Sequence, residues 1–411
     1  MTERKRPELL VPAGSPEVLQ VAVDYGADAV YIGGEAFSLR AKAKNFDRDE
    51  MARGIAYAHA AGVKLYVTAN ILAHESDLSE AEGYFEELRM LGPDALIIAD
   101  PGMFALARRI CPQIPVHVST QANNTNSGSF RFWYDQGAKR VVCARELTLR
   151  EIAQIRKAIP ADREIECFVH GAMCISYSGR CLLSAYFTGR EANRGACTHP
   201  CRWKYFLSEE TRPGEYLPVE ENERGTFIFN SRDLCMIEHI PELMDAGIDS
   251  FKIEGRMKTA LYVAMVARTY RKGIDFALAS DECYREHLGW LREESRKCTY
   301  RPYSTGFYFG NPGSDGQIYE ESTYITGQTY LGRIEELDEN GFARIIQKNK
   351  FHAGDEIEIM KPDGRDCRVK VLEMRNASGE KVESCPHAAE EIRLRLSEQP
   401  KPGELLRISG K

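Results

Sequence analysis

Short apolar runs recur between residues 8 and 255, each ending in polar or small residues and each followed by a longer stretch. They fall at 8–12, 29–33, 64–70, 95–100, 115–121, 140–146, 165–170 and 250–255. Most are rich in β-branched residues and nearly continuous in apolar character, as suits parallel strands buried on both faces. The intervening segments at 47–61, 76–91 and 148–159 are amphipathic with helical spacing. Strand–helix alternation of this length predicts a parallel α/β fold. Eight runs favour a (β/α)8 TIM-like barrel over an open sheet. A ninth candidate run at 226–230 leaves the strand count open. No GxGxxG or P-loop follows the first run, which weakens a nucleotide-binding Rossmann reading.

The rhythm breaks at 171–225, where neither helical nor strand periodicity persists. An insertion after a late barrel strand falls on the C-terminal face, where barrel enzymes place their active sites. A helical tract covers 258–296, and a Gly, Pro and Tyr-rich stretch at 300–324 reads as a linker able to pack on the barrel. From 325 the pattern alternates with period two, with turn signals at 338–341 (DENG), 362–364 (PDG) and 376–379 (NASG). Runs at 330–337, 342–347, 355–360, 367–374 and 391–396 predict a small C-terminal antiparallel β-barrel. The expected layout is a large barrel over 1–299 with its insertion at 171–225, a linker over 300–324 and the small barrel over 325–411. Cys367 and Cys385 stand alone in that last part and read as structural.

A length of 411 residues suits this division. The net charge of −7 argues against bulk nucleic-acid binding but leaves room for a local basic face. Between residues 170 and 206, Arg180, Arg190, Arg194, Arg202 and Lys204 stand against Glu191 alone, which reads either as a solvated loop or as a positive surface beside a site that meets an anion. No eighteen-residue apolar run predicts a membrane span, and the N-terminus has no apolar signal core. The expected location is cytoplasmic, with no membrane partner. Disulfides are rare there, so clustered cysteines point toward metal or redox chemistry.

Four of the twelve cysteines, Cys174, Cys181, Cys197 and Cys201, lie in the insertion with spacing C-x6-C-x15-C-x3-C. Four thiolates suit tetrahedral zinc or a 4Fe–4S cluster. The absence of C-x2-C knuckles disfavours a zinc ribbon, while Gly179, Gly195 and Ala196 would let a loop wrap a larger group. A cluster is favoured; zinc, a Cys197–Cys201 redox pair and unrelated core cysteines remain open. Polar residues also gather at the ends of the apolar runs: Asn70; Ser119, Thr120, Gln121, Asn123 and Asn126; Arg145 and Glu146; His170; Arg232 and Asp233; Lys252, Glu254 and Arg256. Arg145, Arg232 and Arg256 are candidate clamps for a carboxylate or phosphate, because guanidinium pairs with either bidentately. His170, four residues before Cys174, is a candidate proton shuttle or orienter of a cluster ligand, with a plain structural histidine as the equal alternative. No GxSxG, HExxH or protease-like Cys/His pattern is present.

The segment ECFVHGAMCISYSGRCLLS, residues 166–184, resembles the signature of the collagenase-like U32 peptidase family, E-x-F-x2-G-A-M-C-x4-G-x-C-x-L-S. LLVPAGS, GADAVYIGG, HVSTQANNTN, FNSRDLC and KIEGRMK resemble further blocks of that family, so the likeness covers nearly the whole barrel. The resemblance implies iron–sulfur proteins that hydroxylate RNA or quinone rings. In length and domain content the chain looks most like the members that hydroxylate C5 of the tRNA wobble uridine in a prephenate-dependent reaction. It implies a 4Fe–4S cluster on Cys174, Cys181, Cys197 and, as fourth ligand, Cys201, with Cys235 as the alternative. Prephenate is the implied co-substrate, held by the ionic residues of the mouth, and the tRNA anticodon loop the implied partner. Tyr177, Tyr186, Phe187, Trp203 and Tyr205 would stack on a base or simply pack around the cluster. The competing readings are a collagenase-like peptidase and a zinc-stapled RNA-binding or assembly factor. A homodimer through the small domain is a candidate assembly.

Overall fold

The structure, a computed structural model, describes residues 4–38, 45–174, 176–178, 180–190, 192–202, 207–208, 216–217, 220–222, 225–227, 230–318, 324–384 and 387–409. Eight parallel strands form its centre: β1 (Glu8–Pro12), β2 (Ala29–Gly33), β3 (Lys64–Ala69), β4 (Ala95–Ile98), β5 (Val116–Val118), β6 (Arg140–Val142), β7 (Glu164–Gly171) and β8 (Ser250–Ile253). Each pairs with the next, and β8 pairs with both β7 and β1, which closes the barrel. Several strands stop short of their apolar runs because the polar ends leave the sheet to cap the next helical turn. Asp100 accepts from Met103 N to start α4 (Pro101–Ile110), and Ser119 caps a short 3-10 turn. Capping boxes also set the starts of α2 (Arg48–Ala60), through Asp47 and Glu50, and α6 (Leu149–Ala158), through Thr148 and Glu151.

Period two sorts the strand residues. Leu9, Val11, Val30, Ile32, Leu65 and Val67 belong to the core shared with the surrounding helices. Leu10, Ala29, Tyr31, Tyr66, Ala95 and Ile97 form a separate cluster inside the barrel. Among the described residues the ninth run does not join the barrel. Gly225–Phe227 forms a hairpin with Glu220–Asn222, and Asn230–Ser231 pairs with Gln317–Ile318. The extra strand of the sheet is Asp233–Cys235, antiparallel to the end of β7 and parallel to Tyr303–Ser304. The stretch read as a linker is therefore fixed to the barrel. Arg301 holds Asp233 through Nη2 at 2.8 Å and Nε at 3.0 Å, and the Tyr308 hydroxyl donates to the Phe168 carbonyl at 2.6 Å.

Six antiparallel strands make the small barrel: β9 (Gln328–Leu337), β10 (Ala343–Ile346), β11 (Glu356–Met360), β12 (Cys367–Asn376), β13 (Glu391–Leu396) and β14 (Leu405–Ser409). The order is β11-β14-β9-β10-β13-β12, closed by β11 against β12. The last strand was not among the predicted runs. Its LLRIS sequence is short, and only pairing with β9 and β11 makes it a strand. The two barrels meet over α1 (Pro16–Asp24), α9 (Ala260–Ala279) and α10 (Asp281–Ser295). Buried Arg268 and Arg407 bind Glu294 and Asp366 there, and Arg407 also binds Glu358 at 2.7 Å. Tyr330, Met360 and Leu405 of the small barrel sit in the same apolar core as the large one.

Candidate functional site at the barrel mouth

The C-terminal ends of the strands converge on a cavity of about 40 Å³ lined by Tyr31, Thr68, Asn70, Ser119, Arg145, Phe168, Lys252, Glu254 and Arg256, among others. Arg256, almost fully buried, donates from Nη1 to Ser38 Oγ at 2.7 Å and Thr68 Oγ1 at 3.1 Å. Gly33 makes room for it, since a Cβ there would run into that same nitrogen. Arg145 stacks its guanidinium 4.1 Å from the Phe168 ring centroid, donates to the Ala172 carbonyl at 2.8 Å and lies 3.6 Å from Glu254. Its Nε is buried and has no hydrogen-bond partner among the described residues. Lys252 reaches up from β8 over the Tyr31 ring and holds Glu166 at 2.8 Å. Three cations, one carboxylate facing them and a ring of hydroxyls and amides suit a small anion. Hydroxyls, amides and charged groups line the cavity, with no His or Cys among its described lining residues.

The insertion folds over this mouth. Asn193 clamps the backbone of Leu72, after β3, accepting from its N and donating to its O, both at 2.9 Å. Asn123, after β5, donates to the Ser178 carbonyl at 3.3 Å, and Arg145, after β6, holds Ala172. Gly171 ends β7 at φ +113°, and a Cβ there would strike the Glu254 carbonyl. Only glycine lets the chain turn off so close to the end of β8. Within the loop, α7 (Leu183–Thr188) is tied back by Ser184 Oγ, which accepts from Thr198 N at 3.0 Å.

The four loop cysteines are thiols, Cys174 exposed and Cys181, Cys197 and Cys201 half-buried, whereas Cys111, Cys143, Cys167, Cys235 and Cys298 are buried. The backbone N of His199, at φ 56°, donates to Cys197 Sγ at 3.4 Å. Four accessible thiols on one loop, none in a disulfide, fit the donor chemistry of an iron–sulfur cluster. Among the described residues no three His, Cys, Asp or Glu side chains converge as a ligand group, so the fit lies in donor type and location. Beside Cys174 runs a cleft of about 520 Å³ lined by Glu146, Tyr177, Arg232 and Phe307. Burial pushes the Glu146 carboxyl up from its ordinary range. Tyr177, Leu182, Tyr186 and Phe187 stand exposed on the loop. Trp203 and Tyr205 lie outside the described residues.

The structure thus brings Arg145 and Arg256 together and sets Arg232 apart, in the cleft with Cys174. His170 belongs to neither space. It is buried among Tyr262, Tyr270 and Tyr303, with Nδ1 3.3 Å from the Tyr270 hydroxyl and Nε2 unpartnered among the described residues. Burial pushes its pKa down to about 3, so it is neutral. Cys235 lies 4.0 Å from the same hydroxyl, and burial pushes its thiol up to about 12. This surrounding suits a packed thiol rather than a metal thiolate.

Beneath the mouth lies a network that sequence reading passed over. Glu166, fully buried, accepts from Lys252 and, at 2.9 Å, from Arg140; Arg140 also binds Glu8 at 2.6 Å and Glu164 at 2.7 Å. Burial alone would raise the Glu8 carboxyl, but Arg140 outweighs it and holds the group down at about 2. The signal available was a charge inside a short apolar run, at Arg140, Glu166 and Lys252.

This architecture, with a large barrel roofed by a thiol-bearing loop and a small barrel docked at its side, defines the class of protein. The chain belongs to the family described as Peptidase family U32, whose model it matches over residues 14–318, with the Peptidase family U32 C-terminal domain matched over residues 326–407. It is 39% identical over 404 residues to tRNA hydroxylation protein P1 of Bacillus subtilis, covering 98% of this chain and 95% of that protein. It is 38% identical to tRNA hydroxylation protein P of Escherichia coli, over 93% of this chain and 92% of that protein. A 23S rRNA 5-hydroxycytidine synthase of Escherichia coli is 38% identical over 66% of this chain and 39% of its own length. Among the described residues no helix is long and apolar enough to cross a membrane.

Proposed function

We propose that this chain is a tRNA hydroxylase of the cytoplasm that oxidises C5 of the wobble uridine, with prephenate as co-substrate and a 4Fe–4S cluster as resident cofactor. The observation that carries the reading is the pairing of two spaces under one loop: a small cationic cavity and a roomier cleft bearing an exposed thiol. The end-to-end likeness to tRNA hydroxylation proteins supports the substrate class. Cys174, Cys181, Cys197 and Cys201 would hold the cluster, which supplies one-electron chemistry when bound. Arg145, Lys252 and Arg256 hold a carboxylate of the co-substrate, with the Arg145 Nε–H as a donor toward it. Tyr177, Phe307 and Glu146 receive an unstacked base in the cleft, and Arg232 meets its phosphate. Gly171 and the Asn193 clamp keep the loop seated over both.

Nucleoside analysis of tRNA with and without the gene tests the activity: 5-hydroxyuridine derivatives should vanish in the deletion strain and return with the intact gene. A deletion profile identical to wild type sinks the reading. Protein made without oxygen should carry iron and sulfide in about equal amounts, and Cys174→Ala with Cys181→Ala should lose both. Zinc without sulfide would replace the cluster by a staple.

A further inference from the structure

We propose that the small barrel carries an RNA-binding face of its own, a row of cations across its outer surface that takes the phosphate backbone away from the reacting base. The inference rests on the reading of this chain as an RNA-modifying protein. Strand register aligns the row: Arg344 on β10 lies opposite Arg393 on β13, Arg393 opposite Arg375 on β12, and Arg375 opposite Lys381 of the short strand Lys381–Val382. Four cations thus follow one another across four neighbouring strands, over roughly 14 Å at the usual strand spacing. The flanking Ala343, Ile345, Met374, Ile392 and Leu394 fill the barrel core, so alternation points the row outward. Like charges placed directly opposite destabilise a sheet, so folding alone does not select this arrangement.

Two features prepare the row for a polyanion. The Arg375 and Arg395 guanidinium groups sit 4.8 and 4.7 Å from the Phe342 ring centroid, which fixes their planes. Three acids lie nearby. Glu336 pairs with Arg344 at 2.7 Å and Glu373 with Arg375 at 2.8 Å, while Glu391 stands 3.8 Å from Arg344 and 4.0 Å from Arg393. Arg344, Arg375, Lys381, Arg393 and Arg395 outnumber by two the acids within 4 Å of them among the described residues, in a chain whose net charge is −7. Lys381 makes no ion pair among the described residues. Part-exposed pairs of this kind are weak in water and leave the guanidinium groups open to exchange for phosphate. The opposite side of the small barrel is taken up by the large one through Arg407, Met360 and Tyr330, so the row faces solvent. Planar, regularly spaced guanidinium groups match phosphates better than the scattered carboxylates of an acidic protein.

The test is binding of an unmodified tRNA transcript to the full chain over a range of salt concentrations, wild type against Arg393→Gln with Lys381→Gln. Neither residue holds a close ion pair, and thermal unfolding checks that the variant folds. Loss of two phosphate contacts should weaken binding about tenfold and flatten the log–log salt slope by about 1.5. Wild-type binding with an unchanged affinity and slope in the folded variant overturns this inference and leaves the hydroxylase reading intact. A wild-type chain that binds no tRNA overturns both. Competition by polyglutamate as strong as that by RNA overturns the RNA assignment in favour of an acidic protein partner.

Discussion

The two barrels of this chain solve the same closure problem with opposite interiors. The small one is filled by Leu331, Ile345, Phe351, Ile359, Val371, Ile392 and similar residues, and its charges lie outside. The large one buries Arg140, Glu166 and Lys252 inside, with part-buried Glu8 beside them. Buried charge costs several kcal/mol per ion before pairing, so an interior of this kind is not the most stable way to close a barrel. It is the arrangement expected when the interior supports a site. Glu166 holds Lys252 upright beneath the mouth, and Lys252 delivers its charge to the cavity that Arg145 and Arg256 flank.

Breaking the large barrel's network should have the largest effect. Glu166→Gln leaves Lys252 and Arg140 short of a buried counter-charge and should cost about 3–5 kcal/mol in denaturant unfolding. A loss below about 1 kcal/mol would mean that the interior is hydrated and the contrast false. Next comes the mouth. Arg145→Ala should raise the KM for the carboxylate co-substrate about 10- to 100-fold, as expected for a lost charged hydrogen bond, with little change in unfolding free energy relative to Glu166→Gln. Equal losses of stability in both variants would make Arg145 a structural residue.

The pH dependence of stability probes two groups of the large barrel. His170 has its ordinary value of 6.5 when unfolded and about 3 when folded. The unfolded chain therefore takes up the proton first, and stability present above pH 6.5 is lost as pH falls toward 3. Glu8 is ordinarily at 4.5 and is held at about 2 in the fold, so its contribution is present above 4.5 and lost as pH falls toward 2. Urea midpoints should decline from pH 6.5 downward, and His170→Phe should flatten the portion above 4.5. A wild-type profile flat to pH 4.5 would show His170 to be accessible to protons. The smallest effect belongs to the outside of the small barrel. Glu336→Gln, which removes an exposed partner of Arg344, should change stability by about 0.2–1 kcal/mol, measured by the same unfolding.

Local patterns made much of this protein legible. The eight apolar runs are the eight barrel strands, because a strand covered by helices must be apolar wherever it lies. The helices at 47–61 and 148–159 were visible because amphipathic spacing is a local pattern. The match at residues 166–184 pointed to the family for the same reason, being contiguous. Run 226–230 left the strand count open because a short apolar stretch looks alike in a barrel and in a loop hairpin. β14 was hidden because five residues acquire strand character only from their neighbours.

Sequence alone determined the kind of chemistry available: four thiols on one loop, arginines at strand ends and a basic stretch in an acidic chain. Tertiary structure decided which of these act together. It set Arg145 and Arg256 around one cavity, moved Arg232 to the cleft beside Cys174 and sealed His170 and Cys235 among tyrosines. It also disclosed Lys252 on Glu166 and the row from Arg344 to Lys381. Periodicity assigns a residue to a face of its own element. Barrel closure and strand register determine what stands across from that face, and those depend on residues far apart in the chain.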